Sequence, residues 1–131
     1  MSVQKRTILV VDDDYDFRTQ TKLQLEAAGF DVVEAASAAE AREALGRGRP
    51  DLVVLDLMME HPDAGFTLSH AIKRQDATIP VVLVTAVTSE TGMSFDASTD
   101  EERSWIRADA LLAKPVRFEQ LKQEINRLLK G

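Results

Sequence analysis

Four apolar runs in this chain each lead into a polar residue able to do chemistry. Thr7-Ile8-Leu9-Val10-Val11 leads into Asp12-Asp13-Asp14, and Asp51-Leu52-Val53-Val54-Leu55 leads into Asp56. Pro80-Val81-Val82-Leu83-Val84 leads into Thr85, and Ala110-Leu111-Leu112-Ala113 into Lys114. Brought to one place, Asp12, Asp13 and Asp56 form a cluster of like charges that would drive one carboxyl to take up a proton. A hard divalent cation relieves that repulsion, and Mg²⁺ favours one or two carboxylates completed by water and phosphate oxygens. The Lys114 ammonium offers a point charge to a phosphoryl oxygen, and the Thr85 hydroxyl can donate a hydrogen bond. Such a set suits a transferring phosphoryl group, where catalysis is mostly positioning and neutralisation of charge. A central carboxylate, Asp56, can itself be the nucleophile and give an aspartyl phosphate.

The apolar runs must bring these residues together. Runs without alternation suit strands covered on both faces, as in a parallel sheet, and the valines and the Arg49-Pro50 breaker favour strand over helix. Between them lie amphipathic segments. Asp14 can cap a helix from Tyr15 to Ala28 with Gly29 just beyond it, and Phe17, Thr21, Leu25 and Ala28 form its inward stripe. Asp31 to Ala35 reads as a less continuous strand near an edge. Ser37-Ala38-Ala39-Glu40 is a capping box opening a short helix with Ala41, Ala44 and Leu45 on one face. A third helix ends near Gln75 with Leu68, Ala71 and Ile72 inward, and a last one, about 117–130, carries Phe118, Leu121, Ile125 and Leu128. The polar stretch 87–100 has little apolar periodicity and reads as irregular chain, with helix resuming near Glu101 and carrying Trp105 and Ile106. The pattern is (βα)₅. It predicts an α/β fold, a doubly wound parallel five-stranded sheet, with ligands taken outside the carboxyl ends of the strands.

With 131 residues, 44% of them hydrophobic, the chain suits one domain with a real core. A net charge of −6 argues against nucleic acid or an anionic membrane as a direct partner. The absence of cysteine excludes disulfides and thiolate chemistry, and no apolar run approaches the ~20 residues of a membrane span. A cytoplasmic protein is the expectation. His61 and His70 lack a third ligand at metal spacing, and His70 is expected on the surface.

The segments Ile8-Leu9-Val10-Val11-Asp12-Asp13-Asp14, Asp51 through Met59, Val82-Leu83-Val84-Thr85-Ala86 and Leu112-Ala113-Lys114-Pro115 together resemble a two-component response-regulator receiver domain. The resemblance runs from about residue 6 to 130. It implies a flavodoxin-like sheet of order 2-1-3-4-5. It also implies that Asp56 is the phosphoacceptor, that Asp13 binds Mg²⁺ directly and Asp12 through water, and that the backbone carbonyl of Met58 is a further ligand. Thr85 and Lys114 match the phosphoryl-contacting pair, Pro115 follows a peptide bond that is cis in the family, and Leu111 stands at the switch position. The implied partners are a sensor histidine kinase or phosphotransfer protein and a downstream protein target, with homodimerisation on phosphorylation as one mode of output. Such a protein acts on its own aspartate and is not otherwise an enzyme.

The chain departs from the family pattern in four places. The loop Glu60-His61-Pro62-Asp63-Ala64-Gly65 is one residue longer than usual, the stretch from Thr85 to Lys114 is several residues longer, Leu111 replaces an aromatic, and no output domain is expected after the last helix. Two alternatives use the same residues. One is a degenerate receiver serving as a phosphorylation-independent binding module. The other is a haloacid-dehalogenase-type phosphatase, suggested by the Asp-x-Asp within Asp12-Asp13-Asp14, although only Glu119 and Glu124 supply acidic groups after Lys114.

Overall fold

The computed structural model describes residues 6–56, 64–86, 109–114 and 117–129, with the backbone alone at 64–66, 85, 86, 111, 113 and 114. The elements run β1 (Thr7–Val11), α1 (Tyr15–Ala27), β2 (Asp31–Ala35), α2 (Ala38–Arg47), β3 (Leu52–Asp56), α3 (Ala64–Gln75), β4 (Val81–Ala86), β5 (Ala110–Lys114) and α4 (Phe118–Leu129). All strand pairings are parallel, and the order is β2-β1-β3-β4-β5. This is the doubly wound, flavodoxin-like sheet expected from the sequence, with β2 on an edge. The expected irregular stretch 87–100 and the helix carrying Trp105 fall outside the described residues.

Strand alternation divides the apolar runs between two cores. Leu9, Val11, Val53, Leu55, Val81 and Leu83 pack with Leu68 and Ile72 of α3 and Ala41 of α2. Ile8, Val10, Leu52, Val54, Val82 and Val84 pack on the other side with Leu25 of α1 and Leu121 and Ile125 of α4. Each continuous run thus feeds both faces, which is why its hydrophobicity does not alternate. Both cores hold fully buried Leu and Ile side chains, each contributing about 1.5–3 kcal/mol relative to an exposed one.

The helix ends follow local chemistry. Asp14 caps α1 by accepting from the amides of Asp16 (3.0 Å) and Phe17 (3.4 Å). Gly29, at φ 101°, closes the helix in a conformation that other residues adopt at a cost. One position of the expected stripe is corrected here: α1 stops at Ala27, so Ala28 is its C-cap and is exposed, while Thr21 and Leu25 are buried. Ser37 Oγ accepts from the Glu40 amide at 3.1 Å, and Glu40 reaches back to the Ala36 amide, one residue before the cap, also at 3.1 Å. At α3 and α4 the expected inward residues are buried or half-buried, and His70 is exposed.

Two aspartates lengthen the sheet at its amino-terminal edge. Asp51, just before β3, gives its amide to the Thr7 carbonyl and accepts the Thr7 amide on Oδ2, both at 2.8 Å. Asp109, just before β5, does the same with Val81, again at 2.8 Å in both bonds. A side-chain oxygen thereby replaces the strand carbonyl that the neighbouring chain would otherwise need. Lys73 of α3 joins the second pair, with Nζ 2.6 Å from Asp109 Oδ2 and 2.7 Å from the Ile79 carbonyl.

Candidate functional site

At the carboxyl edge, register alone sets the distances. Val11 pairs with Leu55, so the next residues, Asp12 and Asp56, fall side by side where β1 ends and β3 completes its last step. Asp56 in turn pairs with Val84 of β4. Thr85 follows in β4 and pairs with Ala113, and Lys114 pairs with Ala86. Asp56 and Lys114 are therefore the last residues of their strands and Thr85 the last but one, each inside its strand and not just beyond it as expected from the sequence. Leu111 lies in β5 opposite Leu83. Met58 and Pro115 are outside the described residues.

The three carboxylates converge. Ligand oxygens of Asp12, Asp13 and Asp56 all lie within 4.8 Å of one another. Asp12 has no exposed surface, Asp56 is 4% exposed, and Asp13 faces solvent. Two of the carboxylates are thus buried and the third is open to solvent. An arrangement of this kind can hold a small hard cation while leaving coordination positions for water and phosphate oxygens.

Asp12 is fixed at three points. Its amide donates to the Ala35 carbonyl of β2 (3.1 Å), its Oδ1 accepts the Asp14 amide (2.8 Å), and its carbonyl accepts Arg18 Nη1 (2.7 Å). Arg18 is a residue that the sequence reading did not single out. It stands one helical turn after the Asp14 cap, a spacing that returns its side chain toward the loop. Its Nε also reaches Glu34 of β2 at 3.2 Å. A cavity of about 330 Å³ opens at the opposite, amino-terminal edge, lined in part by Thr7, Leu9, Arg47 and Arg49. It lies far from the carboxylates, and its arginines are paired with Glu43 and Asp76.

The family model for the response regulator receiver domain matches residues 8–126. The chain belongs to that family. It is 33% identical over 128 residues to a probable transcriptional regulator, ycf27, of Porphyridium aerugineum, covering 98% of this chain and 50% of that protein. It is 30% identical to the alkaline phosphatase synthesis transcriptional regulatory protein PhoP of Bacillus subtilis, over 95% of this chain and 49% of the relative. This receiver chain spans about half the length of the curated relatives it matches. Among solved structures it is similar to a putative response regulator from Chloroflexus aurantiacus (TM-score 0.81, 28% identity, 98% of this chain and 100% of that one). It is also similar to the response regulator TrrA of Thermotoga maritima, solved with Mg²⁺ and BeF (TM-score 0.76, 27% identity, 94% and 98% covered).

Receiver domains are signalling modules of two-component systems that work with histidine kinases or phosphotransfer proteins and bind Mg²⁺ through an acidic cluster, and this chain has that cluster at Asp12, Asp13 and Asp56. The donor set fits the ion: three hard oxygen ligands at one point, two of them buried. Family membership takes the place of the phosphatase reading. Among the described residues, no helix is long and apolar enough to cross a membrane.

Proposed function

We propose that this receiver takes a phosphoryl group onto Asp56 from the phosphohistidine of a sensor kinase or phosphotransfer protein. The observation that carries this reading is the convergence of Asp12, Asp13 and Asp56 within 4.8 Å at the edge where the Thr85 and Lys114 positions also end. An Asp56 carboxylate oxygen forms the new P–O bond as the P–N bond to the donor imidazole breaks, and the leaving nitrogen takes up a proton. With acetyl phosphate the bond broken is P–O and acetate leaves. Asp13, Asp56 and the Met58 carbonyl would hold Mg²⁺, with Asp12 acting through water, and the ion would supply neutralisation of the phosphoryl oxygens. Thr85 would donate its hydroxyl to the phosphoryl group and Lys114 its charge, with a cis Lys114–Pro115 bond, as in the family, aiming the lysine inward and Leu111 at the switch position. Output follows from the added charge, which changes the surface presented to a downstream protein or to a second copy.

Intact-mass measurement after incubation with Mg²⁺ and acetyl phosphate tests the reading. Wild type should gain one phosphoryl group, Asp56→Asn none, and Asp13→Ala far less at the same Mg²⁺. Undiminished labelling of Asp56→Asn would refute the assignment. A wild type that stays unlabelled would favour the phosphorylation-independent binding module.

A further inference from the structure

We infer that Arg18 is a positioning residue for the cation site, acting through the Asp12–Asp13 peptide, an inference that rests on the acidic cluster being that site. The Asp12 carbonyl and the Asp13 amide belong to one rigid plane. Arg18 Nη1 holds the carbonyl end of that plane at 2.7 Å. The rotation of the plane decides the direction in which the exposed Asp13 side chain leaves the backbone. Asp12 is also held by the Ala35 carbonyl and the Asp14 amide, so Arg18 grips a peptide that runs from an anchored residue to the exposed Asp13.

Arg18 is itself braced. Its Nε lies 3.2 Å from Glu34 Oε1, Lys22 Nζ lies 3.5 Å from the other Glu34 oxygen, and the Tyr15 ring centroid is 5.5 Å from the guanidinium carbon. Its side chain is only 13% exposed. A planar guanidinium can join a carbonyl on one element to a carboxylate on another, which a lysine ammonium does less well because its donors have no fixed fork. The chain from Glu34 on β2 through Arg18 on α1 to the Asp12 carbonyl thus ties the edge strand to the acidic loop.

Charge and position predict opposite outcomes. A guanidinium beside a cation site repels the cation, so on charge alone its removal should tighten Mg²⁺ binding. If Arg18 positions Asp13, removal should weaken binding, because partners behind a metal ligand typically contribute about 10–100-fold in affinity.

The test is Mg²⁺ titration of the whole chain, followed by calorimetry and by backbone amide shifts. The Asp12 carbonyl ¹³C shift in the metal-free protein reads the Arg18 bond directly. Arg18→Met should weaken Mg²⁺ binding about tenfold, the low end of that range, and move the Asp12 carbonyl shift. Arg18→Lys should fall between Met and wild type. Glu34→Gln, which keeps an acceptor oxygen but frees the brace, should weaken binding in the wild-type background and do little more in Arg18→Met. Should Arg18→Met fail to fold, Arg18→Lys and Glu34→Gln carry the test. Unchanged or tighter Mg²⁺ binding in the folded Arg18 variants overturns this inference alone. A wild type without Mg²⁺ affinity overturns the reading of the carboxylate cluster, and this inference with it.

Discussion

Asp109 offers a measurable test of how the last strand is held. Its Oδ2 accepts the Val81 amide at 2.8 Å and the Lys73 ammonium at 2.6 Å. Asp109→Ala removes both acceptor roles. Val81 is fully buried, and a buried amide left without a partner costs about 1–3 kcal/mol. Lys73 keeps the Ile79 carbonyl at 2.7 Å, so it is not stranded. The Asp109 side chain is 35% exposed, and the ion pair is therefore screened to about 0.5–1 kcal/mol. The expected loss for Asp109→Ala is thus about 2 kcal/mol, most of it from the amide. Asp109→Asn, which keeps an acceptor for Val81, should lose about 0.5–1 kcal/mol, and Lys73→Met should lose a similar amount. Urea unfolding followed by far-ultraviolet circular dichroism checks this, with the midpoint falling at constant slope. Coupling between Asp109→Ala and Lys73→Met should be of the order of the ion pair alone. A loss within the ~0.5 kcal/mol of an uninvolved surface change, or an Asn variant as damaged as the Ala variant, would refute the reasoning.

Two further outcomes follow from local geometry. Bonds from the Thr78 hydroxyl, the Arg49 guanidinium and the Thr78 amide hold the Asp76 carboxyl at about 2, below its ordinary 3.8. Because the folded value is the lower one, this contribution is present above pH 3.8 and is lost as the pH falls toward about 2. The urea midpoint of Asp76→Asn should fall less steeply than that of wild type across that window, and parallel curves would count against the assignment. Gly29→Ala meets no neighbouring atom but must hold φ near +101°, so it should cost about 1–2 kcal/mol by thermal or urea unfolding. Gly29→Asn should cost less.

The sheet was legible because its strands are apolar runs fed to two cores, and a continuous run with a polar exit has few other uses in a short chain. Asp12, Asp13 and Asp56 were legible by type and by their place after such runs, and the register brings them together. Arg18, Asp51 and Asp109 were not. Each acts on a partner set by the tertiary fold, Glu34 for Arg18, Thr7 for Asp51 and Lys73 for Asp109, at separations of 16, 44 and 36 residues. Nothing local distinguishes these charges from solvated ones. Helical spacing puts Ala28 on the inward stripe, but it is the C-cap residue beside the left-handed Gly29 and lies exposed.

The paired bonds of Asp51 to Thr7 also work as a datum face, in the machinist's sense. Sliding β3 by one residue against β1 would carry Asp56 about 3.3 Å along the strand and turn its side chain to the other face of the sheet. The acidic cluster, gathered within 4.8 Å, would not survive that displacement. Asp51 can meet both the amide and the carbonyl of Thr7 in one alignment only, and it does so at the end of the sheet remote from the chemistry. Asp56 is thus located by counting along Leu52–Asp56 from a reference at the amino edge, not by the loop that follows it. A chain gauged in this way can vary the length of the segment between Asp56 and Ala64 without moving the carboxylate that the segment adjoins.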